Sequence, residues 1–265
     1  MDLAYLSWPA GLITSGAVIG FLVGMTGVGA GSVTTSLLIS VFGVAPTAAV
    51  GTDLLFAALT KSTAAWRFQK YKNIEWDVLA WLATGSLPAT LAALAWLHWA
   101  HPDTATLAML IRHTLAFILV ISAIANFAFP WLVRRRRRSD APASPTTTRK
   151  LLTLLLGLII GVMVVLTSVG AGAIGMIALL VLYPTLSIKR LIGTDVVHAI
   201  PLTLLAGLGH LSLGTINLSV LGLLLIGSVP GIALGVRATG TAPDWIVRNV
   251  LAVVLIVAAV LLVTK

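Results

Sequence analysis

The chain has 265 residues, of which 58% are hydrophobic and 9% charged, and its formal net charge is +9. A soluble domain carries about 25% charged residues, so this composition excludes a soluble fold and predicts a polytopic membrane protein. The chain has no cysteine, which excludes disulfides and cysteine-ligated metal or iron–sulfur sites. Because most basic residues lie between apolar segments, we attribute the net charge to membrane orientation and expect no nucleic-acid partner.

Ten apolar segments follow one another along the chain. We predict them at residues 10–26, 33–43, 47–66, 76–97, 107–129, 151–167, 174–183, 191–211, 218–236 and 245–263. Since crossing about 30 Å of hydrocarbon takes roughly 20 helical residues, the second and seventh segments are too short to cross. We interpret them as half-helices or as re-entrant limbs. The predicted fold class is therefore all-α.

The two halves of the chain repeat. Gly51-Thr52-Asp53 recurs as Gly193-Thr194-Asp195, and Gly85-Ser86-Leu87-Pro88 recurs as Gly227-Ser228-Val229-Pro230 at the same spacing of 142 residues. A fixed long period indicates an internal repeat. Each half holds five segments, and an odd number predicts inverted topology, as in many secondary transporters. We divide the chain into a first transmembrane repeat (1–133), a basic cytoplasmic linker (134–150) and a second transmembrane repeat (151–265).

Basic residues gather in alternate loops, which predicts a multi-pass protein of the cell inner membrane with both termini on the non-cytoplasmic side. The residues assigned to the cytoplasmic side are Arg67, Lys70, Lys72, the five arginines at 134–138, Arg149, Lys150, Lys189, Arg190 and Arg237. The arginine run itself fits a topology anchor better than a specific contact with anionic lipid.

A glycine-rich break interrupts each half. The first is Gly27-Val28-Gly29-Ala30-Gly31-Ser32 and the second is Ser168-Val169-Gly170-Ala171-Gly172-Ala173. A helix that begins after such a break presents unpaired N–H groups and a partial positive charge, and glycine lets a ligand approach them. We therefore expect an anion between the breaks, although small residues also serve close helix packing. The candidate substrate-binding residues are Gly29, Ala30, Gly31, Ser32, Gly170, Ala171, Gly172 and Ala173.

Asp53 and Asp195 lie inside predicted spans. A carboxylate in a membrane is costly unless it is paired or protonated, and it is a functional candidate by default. One interpretation is proton or cation coupling. The other is that each aspartate, with Thr52 or Thr194, hydrogen-bonds the backbone freed by the neighbouring break.

Two further polar residues lie within predicted spans. His198 follows Asp195 by three residues and shares its helical face; a hydrogen-bonded core histidine is favoured over a proton relay. Lys61 could pair with Asp53 or with the substrate, but snorkelling to the membrane edge is the favoured interpretation. No residue pattern suggests a bound cofactor or a metal ion.

The ordered set of motifs, namely the Gly-Val-Gly-Ala-Gly-Ser break, Gly-Thr-Asp and Gly-Ser-x-Pro with their second copies, resembles the sulfite exporter (TauE/SafE) family. The resemblance implies a transporter of small sulfur-containing anions, such as sulfite or organosulfonates, usually moved outward. The predicted partners are the anion, membrane lipids and a coupling proton.

Three alternatives remain beside this interpretation. One is an anion channel, or a transporter of another small organic anion. The second is a membrane enzyme, which we do not expect because the chain has no His-Glu-x-x-His and no Gly-x-Ser-x-Gly motif. The third is an assembly or lipid-binding protein that uses the arginine run.

Overall fold

The computed structural model describes residues 3–26, 31–70, 73–100, 102–136, 147–170, 172–238 and 244–264. Every regular element in these ranges is a helix, as the sequence predicts. The ten helices are α1 (Leu3–Thr26), α2 (Gly31–Ser40), α3 (Pro46–Lys70), α4 (Trp76–Ala100), α5 (Thr104–Arg136), α6 (Thr147–Thr167), α7 (Ala173–Leu182), α8 (Ile188–Ser212), α9 (Leu218–Arg237) and α10 (Asp244–Thr264).

Helix length separates the spanning helices from the short ones. Six helices, α1, α4, α5, α6, α8 and α9, are long and apolar enough to cross a membrane. Helices α2 and α7 have 10 residues each, so each covers about 15 Å, half the hydrocarbon thickness. The all-α, multi-pass architecture and the two short segments are therefore confirmed. The predicted linker includes the end of α5 and the start of α6, while residues 137–146 lie outside the described part.

Long helices pair between the two halves rather than within them. The most extensive contacts join α1 with α9, α4 with α6, α3 with α8 and α5 with α10. If the second half repeats the first, α6 corresponds to α1 and α9 to α4. The pairs α1–α9 and α6–α4 are then equivalent, and the α3–α8 and α5–α10 pairs are each their own equivalent.

The repeat extends to individual glycine contacts. A Cβ added to Gly16 would lie 2.3 Å from the Leu224 carbonyl oxygen, and one added to Gly157 would lie 2.3 Å from the Leu82 oxygen. Leu82 and Leu224 occupy matching positions. Gly227 and Gly85, also matched, would meet the Ile13 and Leu154 oxygens at 1.9 and 2.2 Å. Backbones approach this closely only where side chains are absent. The inversion of one half relative to the other stays a prediction.

Helix α3 lies between two apolar clusters of the core. One cluster joins residues of α1, α2, α5, α9 and α10 with Ala49 and Phe56 of α3. The other joins residues of α4, α5, α6, α7 and α8 with Val50 and Leu54 of α3. Polar residues of α3 are therefore held at the boundary between the clusters, where they are shielded from lipid.

The exposed residues are those expected of a protein whose sides face lipid and whose helix ends face water. Trp8, Trp76, Trp96, Trp99 and Trp131 are all exposed, as expected for interfacial aromatic side chains.

Between α4 and α5, the Asp103 carboxylate accepts a 2.7 Å hydrogen bond from the Thr106 N–H and so caps α5. Hydrogen bonding to Thr106 lowers the pKa of Asp103 below its usual value.

We predict that Gly227→Ala weakens the α1–α9 interface, because the added methyl group overlaps the Ile13 carbonyl oxygen. Overpacking of this kind typically costs about 1–3 kcal/mol. The matched control on the same helix is Gly222→Ala, since a Cβ at Gly222 meets nothing within 4 Å; removing a glycine there favours the helix by about 0.4–1 kcal/mol. The unfolding midpoints of both variants are measured by heating in detergent with tryptophan fluorescence as the signal. Equal midpoints for the two variants would contradict the prediction.

Candidate functional site

The second break is a short non-helical turn between α6 and α7. Ser168 has φ 59°, and Gly170 and Gly172 have φ 135° and 150°. Glycine adopts these backbone angles without the strain that a Cβ brings. The Gly175 N–H in the first turn of α7 donates to the Gly170 carbonyl at 3.1 Å. The first turn of α7 is therefore hydrogen-bonded to the break, and the N-terminus of α7 lies beside Gly170.

The two breaks meet. A Cβ added to Gly31, the first residue of α2, would lie 3.1 Å from the Ser168 carbonyl oxygen and 3.8 Å from the Ser168 hydroxyl. The same Cβ would lie 3.2 Å from Asp53 Oδ2. The start of α2, the second break and the Asp53 carboxylate thus form one cluster, in which a side chain at Gly31 would make tighter contacts than is usual.

Asp53 is fully buried and sits among hydroxyl groups. The Thr35 hydroxyl donates to Asp53 Oδ2 at 2.6 Å, and the Thr34 hydroxyl also interacts with the carboxylate. Among the described residues, Asp53 Oδ1 and the Ser168 hydroxyl are buried without a hydrogen-bond partner. Together with the start of α2, these donors compensate a negative charge away from water.

Asp195 occupies the matching place in the second half with fewer donors. A Cβ added to Gly175 would lie 2.7 Å from Asp195 Oδ1, so the carboxylate packs against the first turn of α7. Among the residues that the structure describes, Asp195 Oδ1 has no hydrogen-bond partner although it is buried. Thr34 and Thr35 correspond to Gly175 and Met176, which carry no hydroxyl group.

Lys61 adds a positive charge to this cluster. It is 4% exposed and interacts electrostatically with both Asp195 and Asp53. The prediction that Lys61 snorkels to the membrane edge is wrong, because packing between the two core clusters buries its whole side chain. The alternative, interaction with a buried carboxylate, is what the structure shows.

Thr52 and Thr194 tie the loops that precede α9 and α4. The Asn217 N–H donates to Thr52 Oγ1 at 3.1 Å, and the Glu75 N–H donates to Thr194 Oγ1 at 2.9 Å. One of the two interpretations is that each aspartate, with Thr52 or Thr194, hydrogen-bonds the backbone of the neighbouring break; for the threonines, this is wrong within the described residues. The two bonds are equivalent under the repeat, and they fix α3 and α8 against the opposite half of the chain.

His198 is fully buried, and its Nε2 lies 2.7 Å from the Ser86 hydroxyl of α4. The prediction of a hydrogen-bonded core histidine is confirmed. Its Nδ1 has no partner among the described residues. The counterpart of His198 is Phe56, so this bond exists in only one half.

The remaining candidates are divided between the described and undescribed parts. Gly29, Ala30 and Ala171 lie outside the described residues. Ser32 is the second residue of α2, and its carbonyl accepts a 2.7 Å bond from the Ser36 hydroxyl. Ala173 begins α7. No group of three or more potential metal ligands occurs within the described ranges.

Sequence reasoning missed Ser86 and Thr35. Ser86 stood inside a recognised motif, but nothing in the sequence connects it with a histidine in the other half. Thr35 belongs to the polar run Thr34-Thr35-Ser36 within a short apolar segment. That run was a usable signal, because such residues are rarely buried without partners.

Comparison with known proteins assigns the chain to a family. The family described as sulfite exporter TauE/SafE matches residues 12–262. The chain belongs to this family. "Probable membrane transporter protein YjnA" of Bacillus subtilis (strain 168) is 34% identical over 224 residues, which cover 84% of this chain and 87% of that protein.

A second relative, "Probable membrane transporter protein YdhB" of the same organism, is 24% identical over 245 residues, covering 92% and 96% of the two chains. No solved structure matches the chain. This TauE/SafE protein is accordingly a multi-pass membrane transporter, and the cluster around Gly31 lies inside the matched region.

We predict that Ser86→Ala destabilises the TauE/SafE protein by about 1–3 kcal/mol, because it leaves both ring nitrogens of a buried histidine without a partner. Ser228→Ala is the matched control, since the Ser228 hydroxyl donates only within its own helix, to Leu225 at 3.3 Å. Thermal unfolding in detergent compares the two.

The double variant Ser86→Ala/His198→Phe should recover much of the lost stability, since replacing both partners by apolar groups is nearly neutral. A Ser86→Ala variant as stable as Ser228→Ala would show that the histidine bond contributes nothing.

Proposed function

We propose that the chain is a secondary transporter of small sulfur-containing anions, such as sulfite or organosulfonates, which it exports by alternating access. The anion is held between the starts of α2 and α7, where the two glycine-rich breaks adjoin. The observation that carries this proposal is the contact of Gly31 with Ser168 and Asp53.

The charges around the breaks support a small anion. Each helix start contributes roughly +0.5 elementary charge, so the two together contribute about +1. Lys61 offsets one of the two buried carboxylates. If the other carboxylate is neutral, the site has a net charge of about +1 and favours a monoanion without an arginine beside it.

The two buried carboxylates support coupling to protons. An anion and two ionised aspartates in one buried cluster would repel each other strongly, because the effective dielectric constant is low. Loading of the anion together with a proton removes this conflict. A channel would have no need of such groups, whereas a transporter that uses a proton gradient requires a residue that binds the proton.

The experiment that tests this function is a substrate panel in proteoliposomes. Purified protein is given sulfite, an organosulfonate, thiosulfate or sulfate, and flux is measured with and without a proton gradient. We expect saturable flux of sulfite or the sulfonate that the gradient accelerates. Flux that never saturates would favour a channel, and flux only of another organic anion would replace the proposed substrate.

We predict that Gly31→Val lowers this flux by about tenfold or more, a factor that corresponds to about 1.4 kcal/mol of lost interaction. The valine side chain fills the space between the Ser168 carbonyl and the Asp53 carboxylate. Gly222→Val serves as the control, because position 222 has open space around it. Both variants are compared at equal amounts in the membrane. Normal flux in Gly31→Val would place the substrate elsewhere.

A further inference from the structure

The two buried aspartates differ in what surrounds them, although the repeat gives them equivalent positions. Asp53 Oδ2 accepts a hydrogen bond from the Thr35 hydroxyl at 2.6 Å, and the carboxylate also interacts with the Thr34 hydroxyl. The Oδ1 atoms of Asp53 and Asp195 are both buried with no hydrogen-bond partner among the described residues, so the difference between the two carboxylates lies at Asp53 Oδ2, which has the Thr35 hydroxyl. Hydroxyl donors favour the ionised form of a carboxylate, and burial without donors favours the neutral form.

We infer that Asp195 alone carries the coupling proton, and that Asp53 stays ionised as the fixed partner of Lys61 and the start of α2. This inference rests on the proposed function and adds to it a division of labour between the repeats.

The position of Asp195 links its proton to the anion. Its Oδ1 packs against Gly175 in the first turn of α7. An ionised Asp195 therefore neutralises the positive end of α7 and repels an anion there. When a proton from solvent binds to the carboxylate, the end of α7 becomes available to the anion. By thermodynamic reciprocity, the bound anion also strengthens proton binding.

The other ionisable groups around Asp195 do not alter the balance between the Asp195 carboxylate and the positive end of α7. Helix α3 contributes Asp53 and Lys61, whose charges offset each other, and α8 itself contributes His198. Helix α7 has no ionisable side chain. The ionisable residues of α4 and α6 lie in their end turns (Asp77, His98, Arg149 and Lys150), and Glu75 pairs with Arg190.

The first test needs no substrate. The infrared band of protonated carboxyl groups is followed in purified full-length protein from about pH 5 to about pH 9, a range that covers raised carboxyl values. We expect a band that grows as the pH falls, is lost in Asp195→Asn and persists in Asp53→Asn. Loss of the band only in Asp53→Asn, or its absence from the wild type, would overturn the inference.

A matched pair of variants tests the missing hydroxyl without removing either aspartate. Met176→Thr places a hydroxyl where α2 has Thr35, and Met176→Val has the same shape without it. We expect the midpoint of the infrared titration to lie about one pH unit lower in Met176→Thr than in Met176→Val. Equal midpoints would contradict the inference even if Asp53→Asn failed to fold.

A binding experiment tests whether the proton on Asp195 and the anion are coupled. Binding of an alkanesulfonate, which is a monoanion throughout this pH range, should weaken with rising pH in the wild type, by up to about tenfold per pH unit above the midpoint, and the binding in Asp195→Asn should not change with pH. Alkanesulfonate binding by Asp195→Asn with the wild-type pH dependence would overturn the inference. If no sulfur-containing anion binds at any pH, the proposed function fails, and the infrared titration still decides which aspartate takes the proton.

Discussion

A buried carboxylate inside a membrane costs several kcal/mol unless a positive group or a hydrogen-bond donor compensates it, and the centre of this protein meets that requirement twice. Asp53 packs against Gly31 at the start of α2, and Asp195 packs against Gly175 in the first turn of α7. Short helices whose starts lie within the protein are a means of supplying positive charge there, which long spanning helices do not offer. Because α1 and α6 end before the glycine-rich breaks, α2 and α7 begin beside the aspartates.

The two copies of the repeat share the contacts that pack the helices together, and they differ in the polar residues around the aspartates. Matching positions hold the glycine contacts of α1–α9 and α6–α4 and the two threonine ties. The polar residues around the aspartates do not match: Lys61 corresponds to Thr203, His198 to Phe56 and Met176 to Thr35. A symmetric cluster would have two equally ionised carboxylates and no reason to separate their roles. The unmatched residues give the cluster one cation and leave one aspartate without hydroxyl donors.

Sequence patterns predicted most helix ends to within about four residues, because apolar runs longer or shorter than a bilayer are read directly from composition; the start of α1 (residue 3, predicted 10) and the end of α5 (residue 136, predicted 129) extend further. The repeat was also readable, since its motifs keep one spacing. The contacts between halves were not readable: the Ser86–His198 bond and the ties to Asn217 and Glu75 join residues more than a hundred positions apart. Lys61 was misjudged for the same reason. Snorkelling is the rule for a lysine facing lipid, and only the packing of α3 between the two core clusters removes that choice.

The threonine ties also bear on how such a protein could change conformation. Both are formed here, one to Asn217 and one to Glu75, and they differ because Glu75 additionally pairs with Arg190. The Arg190 and Glu75 side chains are 50% and 23% exposed, and ion pairs of this kind contribute about 0–1 kcal/mol. The ion pair therefore adds little to the tie at Thr194, and each tie consists mainly of one backbone N–H bond to a threonine hydroxyl. A ligand shifts a conformational equilibrium only when the competing state lies within a few kcal/mol, and neither tie alone exceeds that range.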